Sequence, residues 1–202
     1  MAVTRLTTNG LTGTKYDIAS ADNYYMEPIA TQLFTSSGTT SVTFSNIPQG
    51  YKHLQVRFIA RNNDTASAFS NDLSWRYNGD AGGSNYARHR LYGTGSATGA
   101  SGVADVSYAS SELGIIPNNS YTSGVFGAGI IDILDYANTN KFKTSRLLGG
   151  IEGNTNDTNS RLVLNSNLWR NTAGINQIEF FVGTGGIGFI QNSRISLYGI
   201  KG

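Results

Sequence analysis

The side chains able to do chemistry in this chain are few. It holds two histidines, His53 and His89, and no cysteine. Without cysteine there is no thiolate nucleophile, no soft-metal ligand and no disulfide framework. Two histidines far apart in the sequence do not make a zinc site. His89 stands in Tyr86-Ala87-Arg88-His89-Arg90, where two neighbouring guanidinium groups disfavour an imidazolium. No G-x-S-x-G occurs, so no serine is poised on a nucleophile elbow. Hydrolysis of a glycosidic bond needs two carboxylates roughly 5–9 Å apart. Asp132, Asp135, Glu152, Asp157 and Glu179 are the acids to consider. Asp132, within Ile130-Ile131-Asp132-Ile133-Leu134, is either a buried, perturbed acid or a polar-face residue paired with an arginine. With no second acid in register, the second reading is preferred and no catalytic residue is assigned.

Gly183-Thr184-Gly185-Gly186-Ile187-Gly188 has the G-x-G-x-x-G spacing and comes directly after a predicted strand. A phosphate cradle needs a helix opening at the last glycine, so that free N–H groups and the helix dipole face the pyrophosphate. Only 14 residues remain after Gly188, and they read as a strand. The motif therefore predicts a glycine-rich loop and no cofactor. Asn62-Asn63-Asp64 and the stretch from Asn154 to Asn159 are rich in oxygen but lack the spaced carboxylates of a hard-cation cage. Turn chemistry accounts for them, and no metal is expected. Arg57, Arg61, Arg76, Arg88 and Arg90 come from three consecutive predicted strands, with Trp75, Tyr77, Tyr86 and Tyr92 in the same region. This mixture suits a basic face or a contact surface between chains. A formal net charge of +2 argues against a protein that works by gripping nucleic acid.

The elements that would position these residues are strands. Leu54, Val56, Phe58 and Ala60 alternate with His53, Gln55, Arg57, Ile59 and Arg61, the pattern of a half-buried antiparallel strand. Thr40–Phe44, Leu73–Tyr77, Tyr86–Tyr92, Lys141–Leu148, Ile175–Val182 and Ser193–Ile200 repeat it. Val125–Leu134 reads as a central strand, apolar on both faces. Glu112–Ile116 is a short strand or a helical turn. Arg161–Leu164 and Leu168-Trp169 are two short apolar pieces. The Gly/Ser/Ala-rich stretch 93–110 predicts an exposed loop, and Asn154–Ser160 a tip. Among 202 residues there are 25 Gly, 21 Ser, 20 Thr and 20 Asn, and charged residues make up 14%. That excludes a helical bundle, while 39% hydrophobic and 11% aromatic residues exclude a disordered chain. No segment is a convincing amphipathic helix. The expected fold is all-β, an antiparallel sandwich over residues 31–202. Residues 1–30 fit neither period. Their aliphatics and tyrosines predict an extended N-terminal arm that docks the domain or reaches a neighbouring subunit. The N-terminus has no apolar run of a secretory signal, and no stretch approaches the roughly 18 apolar residues of a membrane span. The chain reads as made in a cytosol, with no membrane partner.

Six segments resemble a widespread group of short virion proteins of tailed bacteriophages: TRLTTNGLTGT (4–14), SVTFSNIPQGYKHLQVRFIAR (41–61), YNGDAGGSNYARHRLYGTGS (77–96), AGIIDILDYANTNKFKTSRLLGG (128–150), LWRNTAGINQIEF (168–180) and SRISLYGIKG (193–202). The resemblance runs over nearly the whole chain and rests on structural segments, so it carries over no site residues. It implies a non-enzymatic, jelly-roll-like β-sandwich on a virion, commonly trimeric, whose partners are itself and major capsid or tail proteins. A stand-alone chain with an arm and no shaft repeats favours capsid decoration (cement). The alternative is a tail fibre, adhesin or lectin-like protein contacting host surface glycans, with Trp75 or Trp169 stacking on sugar rings.

Overall fold

The computed structural model describes residues 25–65, 69–111, 113–153, 159–183 and 186–202. Residues 1–24, most of the expected arm, and residues 154–158, most of the expected tip, lie outside that set. Among the described residues every regular element is a strand, and the expected antiparallel β-sandwich is what forms. Strands are numbered in chain order. The larger sheet has eight: in spatial order β1 (Met26–Leu33), β14 (Arg194–Ile200), β3 (His53–Ala60), β10 (Gly127–Leu134), β11 (Lys143–Ile151), β12 (Arg161–Trp169), β6 (Tyr86–Thr94) and β7 (Thr98–Val106). The smaller has four: β2 (Ser41–Phe44), β13 (Ile178–Val182), β5 (Leu73–Tyr77) and β8 (Ala109–Ser110). β4 (Ser70–Asn71) and β9 (Ile116–Pro117) form a two-stranded ribbon.

Alternation builds the core. Leu54, Val56, Phe58 and Ala60 of β3 turn inward, as do Ile131 and Ile133 of β10, Leu147 of β11, Val163 and Trp169 of β12, and Ile195 and Leu197 of β14. The smaller sheet answers with Phe44, Leu73, Trp75, Tyr77, Ile178, Phe180 and Val182, all buried. At one end Trp75, Tyr77, Tyr86 and Trp169 cluster, and Tyr77 lies 5.4 Å from Trp169 and 6.3 Å from Tyr86, ring centre to ring centre. The polar atoms of these rings have partners, as burial demands. Trp75 Nε1 donates to Tyr77 Oη (2.8 Å), Tyr86 Oη to the Asp80 carbonyl (3.2 Å), and Trp169 Nε1 to Asp80 Oδ2 (2.7 Å).

Four expectations change. The stretch 93–110 is no loop: it supplies the end of β6, all of β7 and then β8. Its Gly, Ala and Ser show no alternation because β7 is an exposed edge strand, held by its register with β6 (Leu91 opposite Ala100, His89 opposite Gly102). The two pieces around Leu162 and Trp169 are one strand, β12. Asn165 and Asn167 interrupt the apolar pattern because they point inward and bond β8: Asn165 Nδ2 donates to the Ser110 and Ser111 carbonyls, and Ser110 N donates to Asn167 Oδ1. β10 is central, but the described residues cover only one of its faces. Last, the sheet begins at Met26, inside the segment assigned to the arm. Pro28 is tolerated there because β1 is an edge strand with an irregularity between Pro28 and Ala30. The first and last strands lie side by side, Met26 opposite Ile200. Lys201 N donates to the Tyr25 carbonyl, and Glu27 takes both Lys201 Nζ (2.6 Å) and the Tyr51 hydroxyl (2.8 Å).

Candidate interaction surface

The structure separates the residues that chemistry would need together. His53 and His89 lie on β3 and β6, four strand spacings apart, roughly 19 Å. His53 Nδ1 accepts the backbone N–H of Asp135 (2.9 Å). His89 is on the outer side of the larger sheet, while Arg88 and Arg90 turn to the other side by strand alternation. Asp132 is also on the outer side, half-buried, accepting from Gln55 Nε2 (2.8 Å) and standing opposite Arg146 on β11. That is the polar-face placement. Asp135 is an ion-pair hub for Lys52 (3.3 Å) and Lys141, and the Lys141 ammonium holds its carboxyl below the usual range. Glu152 accepts from Ser160 Oγ (3.2 Å), Glu179 lies 3.7 Å from Arg76, and Asp157 lies outside the described residues. No three His, Asp or Glu among the described residues come close enough to share a metal ion.

The remaining motifs are structural. Asn62 is buried, donating to the Ile116 carbonyl and accepting the Asp64 N–H, and Asn63 Oδ1 accepts the Gly188 N–H. Residues 184 and 185 of the glycine motif lie outside the described set. Beyond the motif the chain makes a bridge at Phe189 and then enters β14, with no helix. Gly188 is a glycine because its backbone passes against that of Gly38, where a Cβ has no room. Trp75 and Trp169, the expected sugar platforms, are buried in the core, since both fall on inward positions of their strands.

The arginines divide three ways and form no single basic face. Arg61 is buried and donates to the carbonyls of Tyr121, Thr122 and Val125, clamping the loop before β10. Arg57 lies on the outer side of the larger sheet, over the Tyr198 ring. Arg76, Arg88 and Arg90 gather where the β6–β7 hairpin carries the larger sheet past the smaller one. Arg76 stacks on Phe181 (4.6 Å), Arg76 and Arg88 flank Tyr108, and Arg90 covers Tyr92 (5.4 Å).

The feature that single-strand patterns did not disclose is the outer side of the larger sheet. Strand registers place its outward residues in rows. One row reads Ile59, Ala128, Gly150, Leu162, Gly93, from β3 to β6. The next reads Arg57, Ile130, Leu148, Leu164, Leu91. A third, polar, reads Gln55, Asp132, Arg146, Ser166, His89. Ile59, Leu91, Ile130, Leu148, Leu162 and Leu164 are between 37% and 60% exposed. The signal was present as strands that are apolar at both parities (Ile130-Ile131, Leu147-Leu148, Leu162-Val163-Leu164). Only the register assembles them into one patch. No family model matches this chain, and no curated protein matches it.

Proposed function

We propose that this chain is a non-enzymatic structural protein of a tailed-phage virion, a capsid decoration protein that works by surface contact. The observation that carries the reading is the aliphatic face that the described residues leave open on the larger sheet. It spans five strands and carries no Trp or Tyr in its rows, a surface suited to another protein and unsuited to stacking on sugars or bases. The six phage-like segments supply the virion context. The arm expected in residues 1–30, cut back by the start of β1 at Met26, suits a part that must dock on a particle, because an extended segment gains contact area at little mass.

A tail fibre or adhesin is the second reading. It is favoured by the rim of Arg76, Arg88, Tyr108 and Phe181, a cationic and aromatic mixture in which guanidinium groups lie over rings, a chemistry suited to an anionic glycan. Cryo-electron microscopy of particles carrying the labelled protein separates the two. Copies spread regularly over the head are expected. A few copies at the tail would favour the adhesin, and absence from particles would sink both.

A further inference from the structure

We propose that the outer aliphatic face of the eight-stranded sheet is the contact between two copies of this chain, packed face to face about a two-fold axis along β11. This rests on reading that face as a contact surface. Size is the first argument. The six exposed aliphatics present on the order of 500 Å² of apolar surface, at the upper end of what a free-standing protein leaves contiguous. A stable interface buries roughly 800 Å² per partner, so the polar rim must join the aliphatic patch in the contact.

The second argument is self-complementarity. Rotation about β11 keeps each row and exchanges β10 with β12 and β3 with β6. Leu162 of one copy then meets Ala128 of the other, Ile59 meets Gly93, and Ile130 meets Leu164, while Leu148 meets its own counterpart. In the first row, large residues fall on small ones. The depression floored by Ala128 and Gly150 and walled by Arg57, Ile130, Leu148 and Leu162 receives the facing leucine. In the polar row, Arg146 of each copy lies diagonally across from the partner's Asp132, so the like charges on the axis are interleaved with opposite ones. Faces of this kind pack about 10 Å apart, as the two sheets of a sandwich do, and an axis along β11 sets the two copies of that strand parallel. The six phage-like segments imply three copies; the outer-face geometry points to two.

Sedimentation equilibrium of the full chain tests this directly. The expected mass is twice 21.6 kDa, falling to a single chain in the Leu148→Glu/Leu164→Glu double variant with an unchanged β-type circular dichroism spectrum. A mass of one or of three chains for the natural protein overturns the proposal. So does a folded double variant that stays paired. One chain is also the result if residues 1–24 cover their own sheet. Should the double variant not fold, Leu148→Cys supplies the test, because the chain has no other thiol. A short bismaleimide should join two copies of the Leu148→Cys variant and leave Thr43→Cys, on the outer side of the smaller sheet, unjoined; equal yields overturn the proposal. A single-chain protein that still decorates particles would remove this contact and leave the virion reading standing.

Discussion

Asp80 shows how one residue ties local chemistry to the core. Its carboxylate accepts from the Trp169 indole, the Gly82 N–H and the Asn85 side chain, so the 78–85 connection is fastened to the aromatic cluster. Burial by itself would raise its pKa, but those hydrogen bonds outweigh it and hold the carboxyl below the usual aspartate range. The folded protein therefore binds fewer protons here than the unfolded chain. The stability gained is complete above the ordinary aspartate pKa and is lost as pH falls through the lower folded value. Asp80→Ala strands the buried indole N–H and should cost about 2 kcal/mol in urea unfolding at pH 7. Asp80→Asn should flatten the acid limb of the stability curve, and an acid limb as steep as the natural one would refute the assignment. The Tyr77 hydroxyl, wholly buried in the same cluster, is pushed up to about 12 and so stays a neutral hydrogen-bonding group across the physiological range. Lys143 is buried as well, with its ammonium pulled below the usual lysine range by desolvation. It donates to the carbonyls of Asn138, Lys141 and Thr172, which makes it a fastener of the β10–β11 turn.

At the scale of elements, close approach decides where side chains are forbidden. Gly127 opens β10 where a Cβ would run into the carbonyl oxygen of Ile115, a backbone atom that cannot swing aside. Gly127→Ala should destabilise by roughly 2 kcal/mol, read as a lowered thermal midpoint. A neutral result would mean that the 113–117 segment is free to shift. The same elements show what a sequence discloses. β3, β5 and β13 were legible because apolar residues fill every second, buried position, so period-2 alternation is written into their residues. β7 was not, because an exposed edge strand needs no apolar stripe, and its pairing is specified by β6. β12 reads as two pieces because Asn165 and Asn167 serve β8 with hydrogen bonds where the pattern demands hydrocarbon. The buried fate of Trp75 and Trp169 is a matter of parity that was readable, but their Nε1 partners come from a neighbour two residues along the strand in one case and from a distant loop in the other. The outer face lay beyond reach for a different reason. Each strand carries its own outward residues, but which of them become neighbours depends on registers set by the whole fold.

For the whole molecule, the position of β1 fixes where the domain begins. Removing residues 1–24 should leave the circular dichroism spectrum and thermal midpoint nearly unchanged while abolishing attachment to particles. Attachment at full strength would show that the segment takes no part. A cut after Pro28 would instead strip a rung from the sheet and lower stability, so loss of binding by that version would be ambiguous. The side-by-side pairing of first and last strands has a mechanical corollary. Tension applied between Tyr25 and Lys201 falls first on the rung and ion pair at that end, then on Met26–Ile200, and so peels β1 away link by link, as a zip opens, because neighbouring bonds are loaded in turn and not together.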